Sequence, residues 1–304
     1  ENSKFLDLAV FETVFSGIQE GKGMKKKLTR FDLQNMKDKG QRAVWVTSYD
    51  FITAQLAEEA GMDMILVGDS LGMAVYGYPG TVPVTMDQCI YHAEAVRRGA
   101  SNTFVIGDMP FGSYQVSVEE ACRNAIRFYK EAGVDCIKLE GGVRVAQVIR
   151  AISDGGMLVM GHVGLTPQSS SALGGFKAQG RTAENARAVI EDAKAVYEAG
   201  AFSVLVEGVP PEVTRIICRE IPIPVYGIGA GDCDGQVMIC SDILGLFQAF
   251  TPKFVKKYGN VADEYRKVFA AYIKEVRSGA FPAEEHVYRM AEGEAGKLAA
   301  EWEK

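Results

Sequence analysis

After Arg42, short apolar runs alternate with longer stretches of mixed polarity. The runs are Val44-Trp45-Val46, Met64–Val67, Phe104-Val105-Ile106, Cys136–Leu139, Leu158-Val159-Met160, Ser203–Val206, Val225–Ile228 and Val237-Met238-Ile239. A continuous apolar run marks a strand buried on both faces, as in a parallel sheet. Between them, 51–60, 87–98, 117–132, 143–153, 182–199 and 211–220 read as amphipathic helices. Ser117 with Glu120 three residues later fits a capping box at one helix start. The strings EAGMD (59–63), EAGVD (131–135) and EAGAF (198–202) each put a glycine where a helix ends and the chain turns into a strand. This repeated β-then-α unit predicts an α/β fold, a (β/α)8 TIM barrel, with a doubly wound sheet as the weaker alternative. Helices near 261–277 and 290–303 read as appended packing elements. No Pro/Ser-rich linker divides the chain, so residues 24–304 are expected to form one catalytic barrel domain with C-terminal helices.

The first 23 residues stand apart. Phe5, Leu8, Phe11 and Phe15 recur near helical spacing and predict a short amphipathic helix, and Gly21-Lys22-Gly23 breaks the pattern before Met24, a candidate natural start. The segment lacks a basic n-region and a small-residue cleavage site, so it does not read as a signal peptide. Residues 1–23 are expected to be an extension or tag without catalytic role.

Composition narrows the function classes. Hydrophobic residues make up 47% and charged residues 24%, a globular balance. A net charge of -6 argues against a nucleic-acid or anionic-membrane surface. No apolar run approaches the ~18 residues that a membrane span needs. The six cysteines form no C-x-x-C pair and read as buried thiols in a reducing compartment, which points to the cytoplasm.

In a TIM barrel, chemistry gathers at the C-terminal ends of the strands. Asp69-Ser70, Asp108, Lys138 with Glu140, His162 and Glu207 all fall there. Lys138 and Glu140 are two apart in a strand and therefore share a side. Clustered acids raise one another's pKa unless something compensates, and one lysine does not suffice. A divalent cation is the natural complement; carboxylates without a Cys or paired-His signature suit Mg²⁺, Mn²⁺ or Ca²⁺ better than Zn²⁺. Any one acid could instead cap a helix; all four at equivalent strand ends fit that reading poorly. His162 fits a substrate contact or a supporting contact better than a plain core histidine, whereas His92 and His286 read as structural. Glycines crowd the same rim, but Gly227-Ile228-Gly229-Ala230-Gly231 is not followed by a clear helix and is a weak dinucleotide signal. The polar, glycine-rich segment 166–181 reads as a lid over the mouth.

Read as strings, the rim resembles the ketopantoate (3-methyl-2-oxobutanoate) hydroxymethyltransferase family. The matching strings are ILVGDSLGM (65–73), VPVTMDQCIYHAEAVRRGA (82–100), GDMPFGSYQ (107–115), IKLEGG (137–142), GHVGLTPQS (161–169), GGFKAQGR (174–181), EGVP (207–210), IPVYGIGAGDCDGQV (223–237), TPKFVKKY (251–258) and FPAEEH (281–286). The sequence departs at Ser48, where Ala is expected, and at Pro79-Gly80, where an Asp-Ser pair is expected. The resemblance implies a barrel of the phosphoenolpyruvate mutase/isocitrate lyase type with extra terminal helices. It also implies transfer of a one-carbon unit from 5,10-methylenetetrahydrofolate to 3-methyl-2-oxobutanoate, giving 2-dehydropantoate for pantothenate and coenzyme A synthesis. Carried over by position, Asp69 and Asp108 would bind Mg²⁺ and Glu140 would join them through water. Asp69, Ser70, Asp108 and Lys138 would hold the keto acid, and Glu207 would be the general base. Family members form rings of dimers, so a homodecamer is expected. The Lys-Lys-Cys-Gly-His loop of the related lyases is absent, which counts against a carbon–carbon lyase. A non-catalytic scaffold would have no use for acids at four strand ends.

Overall fold

The computed structural model describes residues 26–302. The expected helix over residues 5–15 and the break before Met24 lie outside them.

Eight parallel strands close into a barrel in sequence order, β1-β2-β3-β4-β5-β6-β7-β8, with β8 pairing back onto β1. That closure excludes the doubly wound alternative. The strands are β1 (Ala43–Thr47), β2 (Met64–Val67), β3 (Phe104–Asp108), β4 (Cys136–Glu140), β5 (Val159–Gly164), β6 (Ser203–Glu207), β7 (Val225–Ile228) and β8 (Gly235–Met238). The helices are α1 (Arg30–Asp38), α2 (Phe51–Glu59), α3 (Met86–Gly99), α4 (Val118–Arg127), α5 (Ala146–Asp154), α6 (Ala183–Glu198), α7 (Pro211–Glu220), α8 (Val261–Ser278) and α9 (Glu294–Trp302). Single helical turns follow β2, β5 and β8, at Leu71–Ala74, Ser170–Leu173 and Cys240–Ile243.

Local chemistry explains the boundaries. Thr85 and Gln88 close a full capping box on α3, and the Ser117 hydroxyl accepts from the Glu120 amide at the start of α4. All three glycines of the EAG strings, Gly61, Gly133 and Gly200, have positive φ, the left-handed turn that a side chain resists. The stretch expected as one helix over 117–132 changes register midway: α4 passes into a π-helical turn at Phe128–Ala132.

The core has two layers. Inside the barrel pack Trp45, Met64, Leu66, Phe104, Ile106, Cys136, Met160, Leu205 and Tyr226, joined by Leu33 from α1. Between barrel and helices pack the alternate strand positions, such as Ile65, Val67, Val105, Ile137 and Val204, against Ile90, Ala93, Ala125, Ile149 and Val196. Alternate residues of a strand point to opposite faces, so each strand feeds both layers. The inward positions nearer the N-terminal ends are apolar. In β3, β4, β5 and β6 the inward positions at the C-terminal ends are ionisable: Asp108, Lys138 with Glu140, His162 and Glu207.

Candidate active site

The strand register assembles the rim. Asp108 lies beside Lys138, Glu140 beside His162, and Gly164 beside Glu207. Lys138 and Glu140 both point inward, as their two-residue spacing requires. Asp69 follows β2, and its amide donates to Asp108 Oδ2 at 3.0 Å. The Lys138 ammonium donates to Asp108 Oδ1 at 2.6 Å and stands 4.0 Å from Glu140 Oε1. Asp69, Asp108, Lys138 and Glu140 are all buried, none more than 4% exposed. Glu207 stands apart from this knot. His162 lies between, with Nδ1 3.5 Å from Glu140 Oε1 and Nε2 3.3 Å from Glu207 Oε2. Neither contact has hydrogen-bond geometry, so the attraction is between charges.

Burial and like charge set the protonation. Burial pushes the Asp69 carboxyl well above the usual range, and the neighbouring Asp108 and Glu140 add to the rise. Burial also raises Asp108, against the pull of Lys138. Glu140 goes the other way: burial opposes its charge, but His162, Lys138 and the Gln168 amide outweigh it. Burial works against the Lys138 charge too, yet Asp108, Glu140 and Asp69 together hold it above its ordinary value. His162 is raised to about 9, because Glu140 and Glu207 outweigh burial and the repulsion of Lys138.

Three polar side chains that the sequence did not single out complete the arrangement. Gln168, in the 166–181 segment, donates from Nε2 to Asp69 Oδ2 at 2.8 Å, and its amide N–H donates to Glu140 Oε2 at 3.0 Å. The Tyr114 hydroxyl donates to Gln168 Oε1 at 2.7 Å. The Tyr49 hydroxyl lies 2.8 Å from Ser70 Oγ and orients it. Their partners lie 21 to 99 residues away in sequence, so no local pattern could have marked them. His92, read as structural, bonds the Tyr49 carbonyl and the Tyr76 hydroxyl.

Two glycines make room. A Cβ at Gly68 would stand 2.7 Å from Ser70 Oγ and 3.7 Å from Asp108 Oδ2, so its absence keeps a polar cradle open between them. Gly164 has a φ of +91°, and a Cβ there would stand 2.5 Å from the Glu207 carbonyl oxygen. A glycine lets β5 turn into the 166–181 segment beside Glu207. A separate cavity of about 340 Å³ lies at the opposite, N-terminal end of the barrel, lined by Arg42, Arg215 and Asp232 among others. It touches none of the candidate residues.

The donor set fits a hard divalent cation. All its donors are oxygens, and two buried aspartates share one cradle. Among the described residues no three Asp, Glu, His or Cys side chains already converge as a ligand cluster. Mg²⁺ needs no such cluster: it takes one or two carboxylates and fills its shell with waters and substrate oxygens.

Solved structures share this barrel fold. 2,3-Dimethylmalate lyase, a phosphoenolpyruvate mutase/isocitrate lyase superfamily member, superposes over 90% of this chain and 99% of its own, with a TM-score of 0.55 at 16% identity. The fold is therefore of that barrel type. The family model for ketopantoate hydroxymethyltransferase matches residues 27–284, and the chain belongs to that family as one of its enzymes. The 3-methyl-2-oxobutanoate hydroxymethyltransferase of Alkaliphilus metalliredigens is 65% identical over 88% of this chain and 95% of its own length. The enzyme of the same name from Heliobacterium modesticaldum is 49% identical over 88% and 97%.

Proposed function

We propose that the chain transfers a hydroxymethyl group from 5,10-methylenetetrahydrofolate to 3-methyl-2-oxobutanoate, giving 2-dehydropantoate for pantothenate synthesis. The observation that carries this reading is the division of the rim into a buried Asp69–Asp108–Lys138–Glu140 knot and a separate Glu207, held apart by His162. Asp69 and Asp108 would hold Mg²⁺, with Glu140 reaching it through water. When bound, Mg²⁺ polarises the keto oxygen and stabilises negative charge developing on it. Lys138, Asp69, Asp108 and Ser70 hold the keto acid: the ammonium faces its negative charge, and the Ser70 hydroxyl, oriented by Tyr49, donates to its carboxylate. Glu207 takes the C3 proton. His162 Nε2 engages Glu207 Oε2, which leaves Oε1 as the oxygen to accept it. One water first frees the methylene carbon from both folate nitrogens as formaldehyde, with tetrahydrofolate leaving. The enolate C3 then attacks that carbon, and the oxygen from the water takes a proton and becomes the product hydroxyl, under a lid at 166–181 that excludes further water.

Deprotonation on this scheme needs no folate. The protein should exchange the C3 hydrogen of 3-methyl-2-oxobutanoate in heavy water with Mg²⁺ alone. Glu207→Gln keeps the shape but cannot accept a proton, so exchange and transfer should both fall about 10² to 10⁴-fold. Undiminished exchange in Glu207→Gln, followed by NMR, would move the base elsewhere, and His162, already carrying its proton, could take the role only if it were first deprotonated.

A homodecamer of five dimers in the cytoplasm completes the proposal. Self-association, not the number of copies or the location, is supported by α8, where Tyr265, Val268, Phe269, Tyr272, Ile273 and Val276 form one apolar stripe at helical spacing, each at least 45% exposed. A stripe of that size suits a second copy of the chain. No described helix is long and apolar enough to cross a membrane.

A further inference from the structure

Gln168 is 4% exposed and belongs to the segment that leaves the top of β5, yet its side chain ends inside the carboxylate knot. Its amide orientation is forced. Nε2 faces two acceptors, Asp69 Oδ2 at 2.8 Å and the Met109 carbonyl at 2.9 Å. Oε1 faces the Tyr114 hydroxyl at 2.7 Å. With its proton on Gln168, the Tyr114 oxygen accepts from the Glu140 amide at 3.1 Å. Gln168's own backbone N–H holds Glu140 Oε2 at 3.0 Å. One residue therefore touches carboxylates from two strand ends, once through its side chain and once through its backbone. A glutamate at 168 would set a carboxylate against Asp69, and an alanine would leave Asp69 Oδ2 and the Tyr114 hydroxyl without this partner.

The same residue lies near the start of the lid. Gln168 lies in the helical turn Pro167–Ser169, followed by the turn Ser170–Leu173 and then Gly174 and Gly175, both with positive φ. Beyond these, Phe176, Lys177 and Ala178 are exposed. Lifting the segment at 167–169 must withdraw both hydrogen bonds from the carboxylates. Seating it restores them.

We infer that Gln168 is a positioning residue that couples closure of the 166–181 lid to the placement of Asp69 and Glu140. Tyr114 is its anchor. The inference rests on the proposed role of these carboxylates and adds the element that sets their geometry.

The test uses Mn²⁺ as a spectroscopic probe and trypsin as a reporter of the lid, which offers Lys177 and Arg181 as cleavage sites. In the wild type, Mn²⁺ with 3-methyl-2-oxobutanoate should suppress cleavage at these sites. Gln168→Ala should weaken Mn²⁺ binding, read by electron paramagnetic resonance, about 10 to 100-fold, as loss of a group orienting metal ligands does. It should also abolish the protection from trypsin. Tyr114→Phe should move both readouts the same way by less, and it carries the test if Gln168→Ala fails to fold by circular dichroism. A folded Gln168→Ala with wild-type Mn²⁺ affinity, or with wild-type protection, overturns the coupling while the proposed function stands. A wild type that binds no Mn²⁺ overturns both.

Discussion

Lys138→Met isolates the charge of the knot. Methionine keeps most of the length and volume of the lysine stem and removes the ammonium. Lys138 is 3% exposed and its Nζ lies 2.6 Å from Asp108 Oδ1, so the change leaves Asp108 buried without its direct counter-charge. Breaking a buried pair from one side costs about 3–5 kcal/mol, because the remaining charge is uncompensated. Asp69 and Glu140, which also act on Lys138, lose the same cation. A divalent ion at Asp69 and Asp108 would restore positive charge at the same place. The variant should therefore bind Mg²⁺ more tightly than the wild type, and each tenfold gain returns about 1.4 kcal/mol at saturating metal. Urea denaturation followed by circular dichroism, in chelator and then in excess Mg²⁺, measures both quantities. The deficit should be large in chelator and smaller with metal, and the KM for the keto acid should rise in either case. A variant within about 0.5 kcal/mol of wild type in chelator, the range of an ordinary surface substitution, with unchanged KM, would refute the argument.

Other sites test packing and assembly. A Cβ at Gly161 would stand 2.3 Å from Val196 Cγ1 on α6, so Gly161→Ala should cost about 1–3 kcal/mol by overpacking; pairing it with Val196→Ala should recover part of that, and strict additivity in the double variant would refute the contact. Burial pushes the Cys89 and Cys136 thiols well up, so iodoacetamide at pH 8 should label the half-buried Cys122 in the folded protein and reach Cys89 and Cys136 only after denaturation; mass spectrometry reads the order. Phe269→Glu with Ile273→Lys breaks the α8 stripe and should lower the mass seen by light scattering, whereas an unchanged mass would place the interface elsewhere.

The strands were readable because a closed parallel barrel buries both faces of each one, which turns β2 into Met64-Ile65-Leu66-Val67, all buried. Their order and the EAG turns then led to the barrel. Helix α1 carries no comparable signal: Leu33 is its single buried residue, and the Thr29–Asp32 capping box, not an apolar face, defines its start. The π-helical turn at Phe128 also escaped the pattern. Its first residue, Phe128, packs so closely on β3 that a Cβ at Gly107 would meet its ring at 2.8 Å, a contact far off in sequence. Among the candidate residues, strand-end position marked Asp69, Asp108, Lys138, Glu140, His162 and Glu207. Gln168 sat in a segment read as a lid, where a glutamine is expected to face water, and what it touches instead is a carboxylate 99 residues distant.

The two-residue period of a strand explains why apolar plug and ionic rim share the same strands. In β3 the inward positions are Phe104, Ile106 and Asp108; in β4 they are Cys136, Lys138 and Glu140; in β5 and β6 Met160 is followed by His162, and Leu205 by Glu207. A slip of one residue in β4 would turn Lys138 and Glu140 into the helix layer and strand both charges among Ile149 and Ala193. Burial of the rim therefore helps to enforce the register. The plug below keeps water from the knot, which strengthens each attraction within it and raises the cost of any charge left unpaired. That cost explains the partners found there: Asp108 has Lys138 and the Asp69 amide, Glu140 has the Gln168 amide with His162 close by, and Asp69 has Gln168. Among the described residues, Asp69 alone of the three has no cation within ion-pair distance, and it is the carboxyl that burial raises well above its range. The position with the least compensation is thus the one where a metal ion would gain most.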